Sequence, residues 1–134
     1  MAQFQYYAST QNKTWLETKG WPVISNIADF WASQVVFNDT TQKYDTSNES
    51  TLVISRSLHS TLTNGITVLA DPDEFANFKN NAAYTNAGIS VILKNAVQLA
   101  GKLGITAPKN WTTISNKITV LADNVSGIVL EYGE

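Results

Sequence analysis

Apolar residues recur at helical spacing through most of the chain. Phe4, Tyr7 and Ala8 stand three and four apart, so residues 2–9 read as the tail of a helix that begins inside an element. Gln11-Asn12-Lys13 is a polar joint. Thr14 is placed to cap a short helix over residues 15–19 with Glu17 at N3, and Gly20 to end it as a C′ glycine. Trp21-Pro22 opens the next helix, because proline fits the first turn. Over residues 23–36 the apolar set Ile24, Ile27, Ala28, Trp31 and Val35 forms one stripe, with Asp29 and Gln34 off it. Trp21, Phe30 and Trp31 read as core more readily than as a ligand platform. Residues 85–103 carry the broadest stripe, Ile89, Ile92, Leu93, Ala96, Leu99, Ala100 and Leu103, with Gly101 and Gly104 at its end. A short helix over residues 111–117 follows Pro108.

Strand signals are weaker. Thr51-Leu52-Val53-Ile54-Ser55 and Gly65-Ile66-Thr67-Val68-Leu69 are β-branched runs separated by a polar segment that ends in Asn64, and they could pair as a hairpin. Residues 127–132 read as a strand, and the hydrophilic stretch 38–48 as a surface loop. The hexapeptide Ile66-Thr67-Val68-Leu69-Ala70-Asp71 recurs as Ile118-Thr119-Val120-Leu121-Ala122-Asp123. The match stops at its flanks, so a repeat architecture is not supported.

Composition narrows the chemistry. A chain of 134 residues is one domain or a piece of a larger one. Nine Lys+Arg against eleven Asp+Glu, without a basic run, argue against nucleic acid as partner. No stretch approaches the roughly 18–20 apolar residues of a membrane span, and the first seven residues lack the pattern of a secretory signal. The absence of cysteine removes disulfides and thiolate catalysis, and with His59 alone an all-histidine metal site cannot form. Hydrolytic chemistry here must rest on carboxylates. Asn12, Asn38, Asn48, Asn110 and Asn124 each begin an Asn-x-Ser/Thr triplet. These are glycan acceptors if the chain is secreted, though a chain rich in Asn, Ser and Thr also makes such triplets by chance.

The densest polar block runs over residues 71–86. Asp71-Pro72-Asp73-Glu74 places three carboxyls within four positions, and Asn77, Asn80, Asn81, Thr85 and Asn86 follow. If buried, such crowding raises one carboxyl pKa, which is what the general acid of a glycosidase requires. Neutral amides and hydroxyls suit sugar hydroxyls, which both donate and accept. Spacing leaves a second reading open: acidic residues and Asn also favour a helix N-terminus.

Two blocks carry a family resemblance. Gly20-Trp21-Pro22-Val23-Ile24-Ser25-Asn26-Ile27-Ala28-Asp29-Phe30-Trp31-Ala32-Ser33 resembles the catalytic domain of fungal acid trehalases, in glycoside hydrolase family 65. That family also holds maltose and kojibiose phosphorylases. Asp71-Pro72-Asp73-Glu74-Phe75 and the asparagines after it resemble the family's P-[DN]-E-[YF] segment. Tyr44-Asp45-Thr46 and residues 126–132 also fit.

The resemblance implies a mainly α fold, a partial (α/α)6 barrel with a small β-hairpin insert. Residues 1–134 would then be a fragment of one catalytic domain, with residues 49–70 an insertion relative to the family. It implies inverting hydrolysis of α,α-trehalose to glucose. Glu74 would be the general acid, and Asp73, Asn80, Asn81 and Asn86 the substrate contacts. A second carboxylate about 6.5–9.5 Å away would activate water. The family's base lies beyond this chain, so neither Glu131 nor Glu134 is assigned to it, and the isolated fragment is expected to be inactive. No metal or organic cofactor is implied. The expected partner is a small disaccharide, with self-association through apolar helix faces. The parent enzyme is expected in the vacuole, the cell wall or the medium. The alternatives are a disaccharide phosphorylase and a non-catalytic helical module that binds carbohydrate or a partner.

Overall fold

The computed structural model describes residues 2–46 and 80–132, and 61% of these are helical. The order is α1 (Ala2–Thr10), α2 (Lys13–Trp15), α3 (Trp21–Ser33), β1 (Val36–Asn38), β2 (Lys43–Asp45), α4 (Ala83–Leu103) and α5 (Lys109–Lys117). The two β-branched runs expected to pair as a hairpin, and residues 49–70 as a whole, lie outside the described residues.

The first expectation to change is the break at Gly20. Asn12, not Thr14, caps α2: its Oδ1 accepts the Trp15 N–H at 2.9 Å. Glu17 meets Lys13 at 3.8 Å on the exposed face, in place of closing a capping box. Nor does the helix stop at Gly20. That residue is right-handed helical, at φ −73° and ψ −50°. Leu16–Gly20 form a π-turn in which the Trp21 N–H bonds the Leu16 carbonyl, joining α2 to α3 as one continuous rod. Pro22 lies just past the widened turn, where its missing N–H and bulky ring disturb the helix least. Gly20 is needed for room: a Cβ there would sit 2.7 Å from Cζ3 of Trp15.

The stripe on α3 faces inward as expected. Ile24 and Ala28 are buried, while Ile27, Trp31 and Val35 are half-buried. Phe30 departs from the core expectation: it is 48% exposed and meets the edge of Trp31 at 5.2 Å. α3 ends at Ser33, three residues short of the expected limit, because Val36 enters β1.

Part of the expected surface loop is a hairpin. β1 and β2 pair antiparallel with Phe37 opposite Tyr44, their rings 5.1 Å apart. Asn38 holds the turn by accepting the Thr40 and Thr41 N–H groups on Oδ1.

α4 is the central element. Ile89, Leu93, Ala96, Leu99 and Ala100 are buried along it, and Gly104 ends it in the left-handed conformation, φ 71°. α3 and α5 pack against α4. Trp111 on α5 is 1% exposed, stacks tilted against Trp21 at 6.2 Å, and donates its Nε1–H to Asp29 at 3.2 Å. Burial of an indole with its N–H satisfied stabilises this interface. The strand expected over 127–132 reduces to one bridge, Ala122 with Val129, around a turn that Asp123 caps from below. Gly127 takes φ 71° in that turn.

Candidate functional site

At the N-terminal end of α4, chain segments remote in sequence meet in one polar cluster. β2 delivers Asp45 and Thr46, residues 80–82 lead into α4, and Thr119 follows α5. Asn86 occupies the second turn of α4 and is 0% exposed. A buried amide without partners would be strongly destabilising. Here it is satisfied: Nδ2 donates to the Thr119 carbonyl at 2.8 Å and to Asn81 Oδ1 at 3.3 Å, while Oδ1 accepts the Thr46 hydroxyl at 2.7 Å.

Asn81 and Thr46 form a reciprocal pair. The Asn81 N–H donates to the Thr46 carbonyl at 2.9 Å, and the Thr46 N–H donates to Asn81 Oδ1 at 3.0 Å. Asn81 is left-handed, φ 54°, a conformation that Asn tolerates better than most residues. Next to the pair, Asp45 accepts the Thr119 hydroxyl on Oδ1 and Asn38 Nδ2 on Oδ2, the latter at 2.7 Å. The Thr119 N–H donates to the Tyr44 carbonyl at 2.8 Å. Ala83 N–H reaches the Glu131 carbonyl at 2.7 Å, tying the last described turn to the start of α4.

The expected site residues therefore divide. Asp73 and Glu74 lie outside the described residues. Asn80 is exposed at the edge of the cluster. Asn81 and Asn86 come together within it, both engaged by protein groups. Thr46, Thr119 and Asp45 were not among the expected site residues. Tyr44-Asp45-Thr46 had already drawn notice through the resemblance, and Thr119 lies in the second copy of the repeated hexapeptide. That copy now has a role: Ile118 packs in the core, and Thr119 bonds through its N–H, hydroxyl and carbonyl. Among the described residues no three of His, Cys, Asp and Glu gather as metal ligands, and no helix is long and apolar enough to cross a membrane.

With this geometry in place, the likeness to known proteins falls on one class of enzyme. No family model matches the chain. It is similar, however, to glycoside hydrolases over nearly its whole length. A kojibiose hydrolase of Flavobacterium johnsoniae is 36% identical over 132 residues, covering 98% of this chain and 16% of the relative. The cell wall acid trehalase of Candida albicans is 38% identical over 136 residues, covering 98% and 11%. The periplasmic acid trehalase of Saccharomyces cerevisiae is 34% identical over 135 residues, covering 98% and 9%. The chain thus spans less than a fifth of the length of each of these relatives. In fold it matches a solved chain from the human microbiome with a provisional assignment as a kojibiose phosphorylase, at TM-score 0.68 and 16% identity. That match covers 98% of this chain and 16% of the other.

Proposed function

We propose that this chain is the acid-bearing part of an inverting glycoside hydrolase that cleaves α,α-trehalose to glucose. One observation carries the reading: the likeness to acid trehalases and a kojibiose hydrolase extends over 98% of the chain, a span that includes Asp71-Pro72-Asp73-Glu74. In the proposed reaction the Glu74 carboxyl protonates the oxygen bridging the two glucose units as the bond breaks. Water, activated by a carboxylate from elsewhere in the parent enzyme, attacks the opposite face. Asp73 and the exposed Asn80 contact the sugar. Asn81 and Asn86, whose amides are taken up by protein groups, orient the segment in place of the direct contacts expected of them.

The helices are part of an (α/α)6 barrel, residues 1–134 are a fragment of it, and residues 49–70 are an insertion beside the acid. The parent acts at the cell wall or outside the cell, as its trehalase relatives are named. Alone, the fragment does not turn over substrate. Its exposed apolar residues Val125, Ile128 and Val129 favour self-association.

The test is substitution of this chain for the corresponding stretch of the Candida albicans acid trehalase. Phosphate-independent glucose release from trehalose supports the reading. Phosphate-dependent formation of a sugar phosphate selects the phosphorylase, and sugar binding by the isolated chain without turnover of the hybrid selects a binding module.

A further inference from the structure

The Asn-x-Ser/Thr triplets that begin at Asn12, Asn38, Asn110 and Asn124 fall among the described residues, and the structure separates them. Asn38 is spent on the fold: Nδ2 donates to Asp45 at 2.7 Å while Oδ1 accepts the Thr40 and Thr41 N–H groups. Asn12 caps α2 through Oδ1 and lies between the exposed Gln11 and Lys13. Asn110 and Asn124 are exposed, and among the described residues no group bonds either carboxamide. They differ in what surrounds them. Lys109 and Thr112 beside Asn110 are polar and exposed, and Trp111 is buried. Asn124 instead sits in the turn of a short ribbon, where the Asp123 N–H donates to the Ile128 carbonyl at 2.8 Å and the Leu130 N–H to the Leu121 carbonyl at 2.9 Å. In that ribbon Val125 is 95% exposed, Ile128 66% and Val129 56%. Contiguous apolar surface of this kind promotes association, and a glycan is bulky and solubilising.

We propose that Asn124 is an N-glycan acceptor whose glycan covers Val125, Ile128 and Val129, and that Asn38 is not an acceptor. The assignment rests on the extracellular location proposed above, because the transfer accompanies export. In the transfer, Nδ2 of Asn124 displaces the diphosphate of a lipid-linked oligosaccharide. The Nδ2–C1 bond forms, the C1–O bond breaks, one amide proton is released, and the lipid diphosphate departs. The Ser126 hydroxyl that completes the triplet donates to Asp123 in the folded turn, so transfer precedes closure of the turn. The carboxamide that carries the glycan keeps Oδ1 and one N–H, and the fold draws on neither.

The test is export of the whole 134-residue chain from a yeast behind a cleavable leader, with peptide mass spectrometry and size-exclusion chromatography of the product. The peptide holding Asn124 gains the mass of an N-glycan, the peptide holding Asn38 does not, and the chain elutes as a monomer. Asn124→Gln shifts it to dimers or larger species at unchanged helix content by circular dichroism. Adding Val125→Ser and Ile128→Ser to that variant returns it to monomer. If Asn124→Gln loses helix content, treatment of the folded, unsubstituted chain with a peptide-N-glycanase decides: the same shift appears, and the two serine substitutions abolish it. A bare Asn124, a glycan on Asn38, or a chain that stays monomeric without the Asn124 glycan overturns the proposal. Failure of the extracellular location shows separately: the parent enzyme would be recovered with the cytosol of its own cells, whatever the exported chain carries.

Discussion

Asn86 and Thr46, forty positions apart, share a hydrogen bond of 2.7 Å from which solvent is excluded. The bond places the end of β2 against the start of α4. Asn86→Ala would strand the Thr46 hydroxyl and the Thr119 carbonyl in a dry site, at a cost of about 2–4 kcal/mol. A fall in melting temperature of roughly 10 °C is the expected result for a chain this size. A residue that only touched sugar would leave the melting temperature unchanged.

At Gly20 the constraint is space. The Cβ of alanine would meet the Trp15 ring at 2.7 Å, and that ring also packs on Tyr6, with centroids 4.3 Å apart. Gly20→Ala is expected to destabilise the chain by about 1–3 kcal/mol through overpacking. Gly101, which has nothing within 4 Å of its Cβ position and sits in the last turns of α4, gives the contrast. Gly101→Ala is expected to stabilise by about 0.5–1 kcal/mol, since alanine favours a helix interior. Thermal or urea unfolding of the two variants checks both signs.

Trp111 tests the interface of α5 with the rest. Trp111→Ala removes a fully buried indole and is expected to cost about 3–5 kcal/mol. Asp29→Ala leaves the buried indole N–H without its acceptor and is expected to cost less, about 1–3 kcal/mol. Equal losses in urea unfolding would mean that the polar bond, and not the packing, holds the interface.

Acid sensitivity has one local source in the turn after Asp123. The Ser126 hydroxyl, then the Ser126 and Val125 N–H groups, donate to this carboxylate and hold its pKa below the usual aspartate value. A carboxyl whose folded pKa is depressed favours the folded form above its unfolded pKa, and that contribution disappears as pH falls through the folded pKa. The turn should therefore loosen only below the ordinary aspartate range. Carboxyl titration by NMR is expected to find Asp123 below that range, and Ser126→Ala is expected to raise it toward the ordinary value.

The helical stripes of α3 and α4 were legible because period alone decides which face is buried. Ile24, Ala28, Ile89, Leu93 and Leu99 all point where their spacing directs. The hairpin of β1 and β2 was not legible. Its strands are three residues each, and Phe37 opposite Tyr44 is its main apolar pair, too little alternation to stand out from a polar stretch. Gly20 misled because glycine serves both helix ends and close packing, and only the Trp15 ring distinguishes them. The site divides in the same way. The sequence marks the asparagines after Glu74 as a polar block, but the partners of Asn86 lie forty positions back and thirty-three ahead. No local pattern reports such distances, so the protein partners of Asn86 were not legible in the sequence.

The proton donor is tested most directly by changing what the reaction asks of it. In the hybrid trehalase carrying this chain, Glu74→Gln is expected to slow trehalose cleavage by about 10²–10⁴-fold, the usual contribution of a general acid. The same variant is expected to hydrolyse α-glucosyl fluoride at close to the parent rate, because fluoride departs without being protonated. Equal losses on both substrates, or undiminished cleavage of trehalose, would contradict the assignment of Glu74 as the acid.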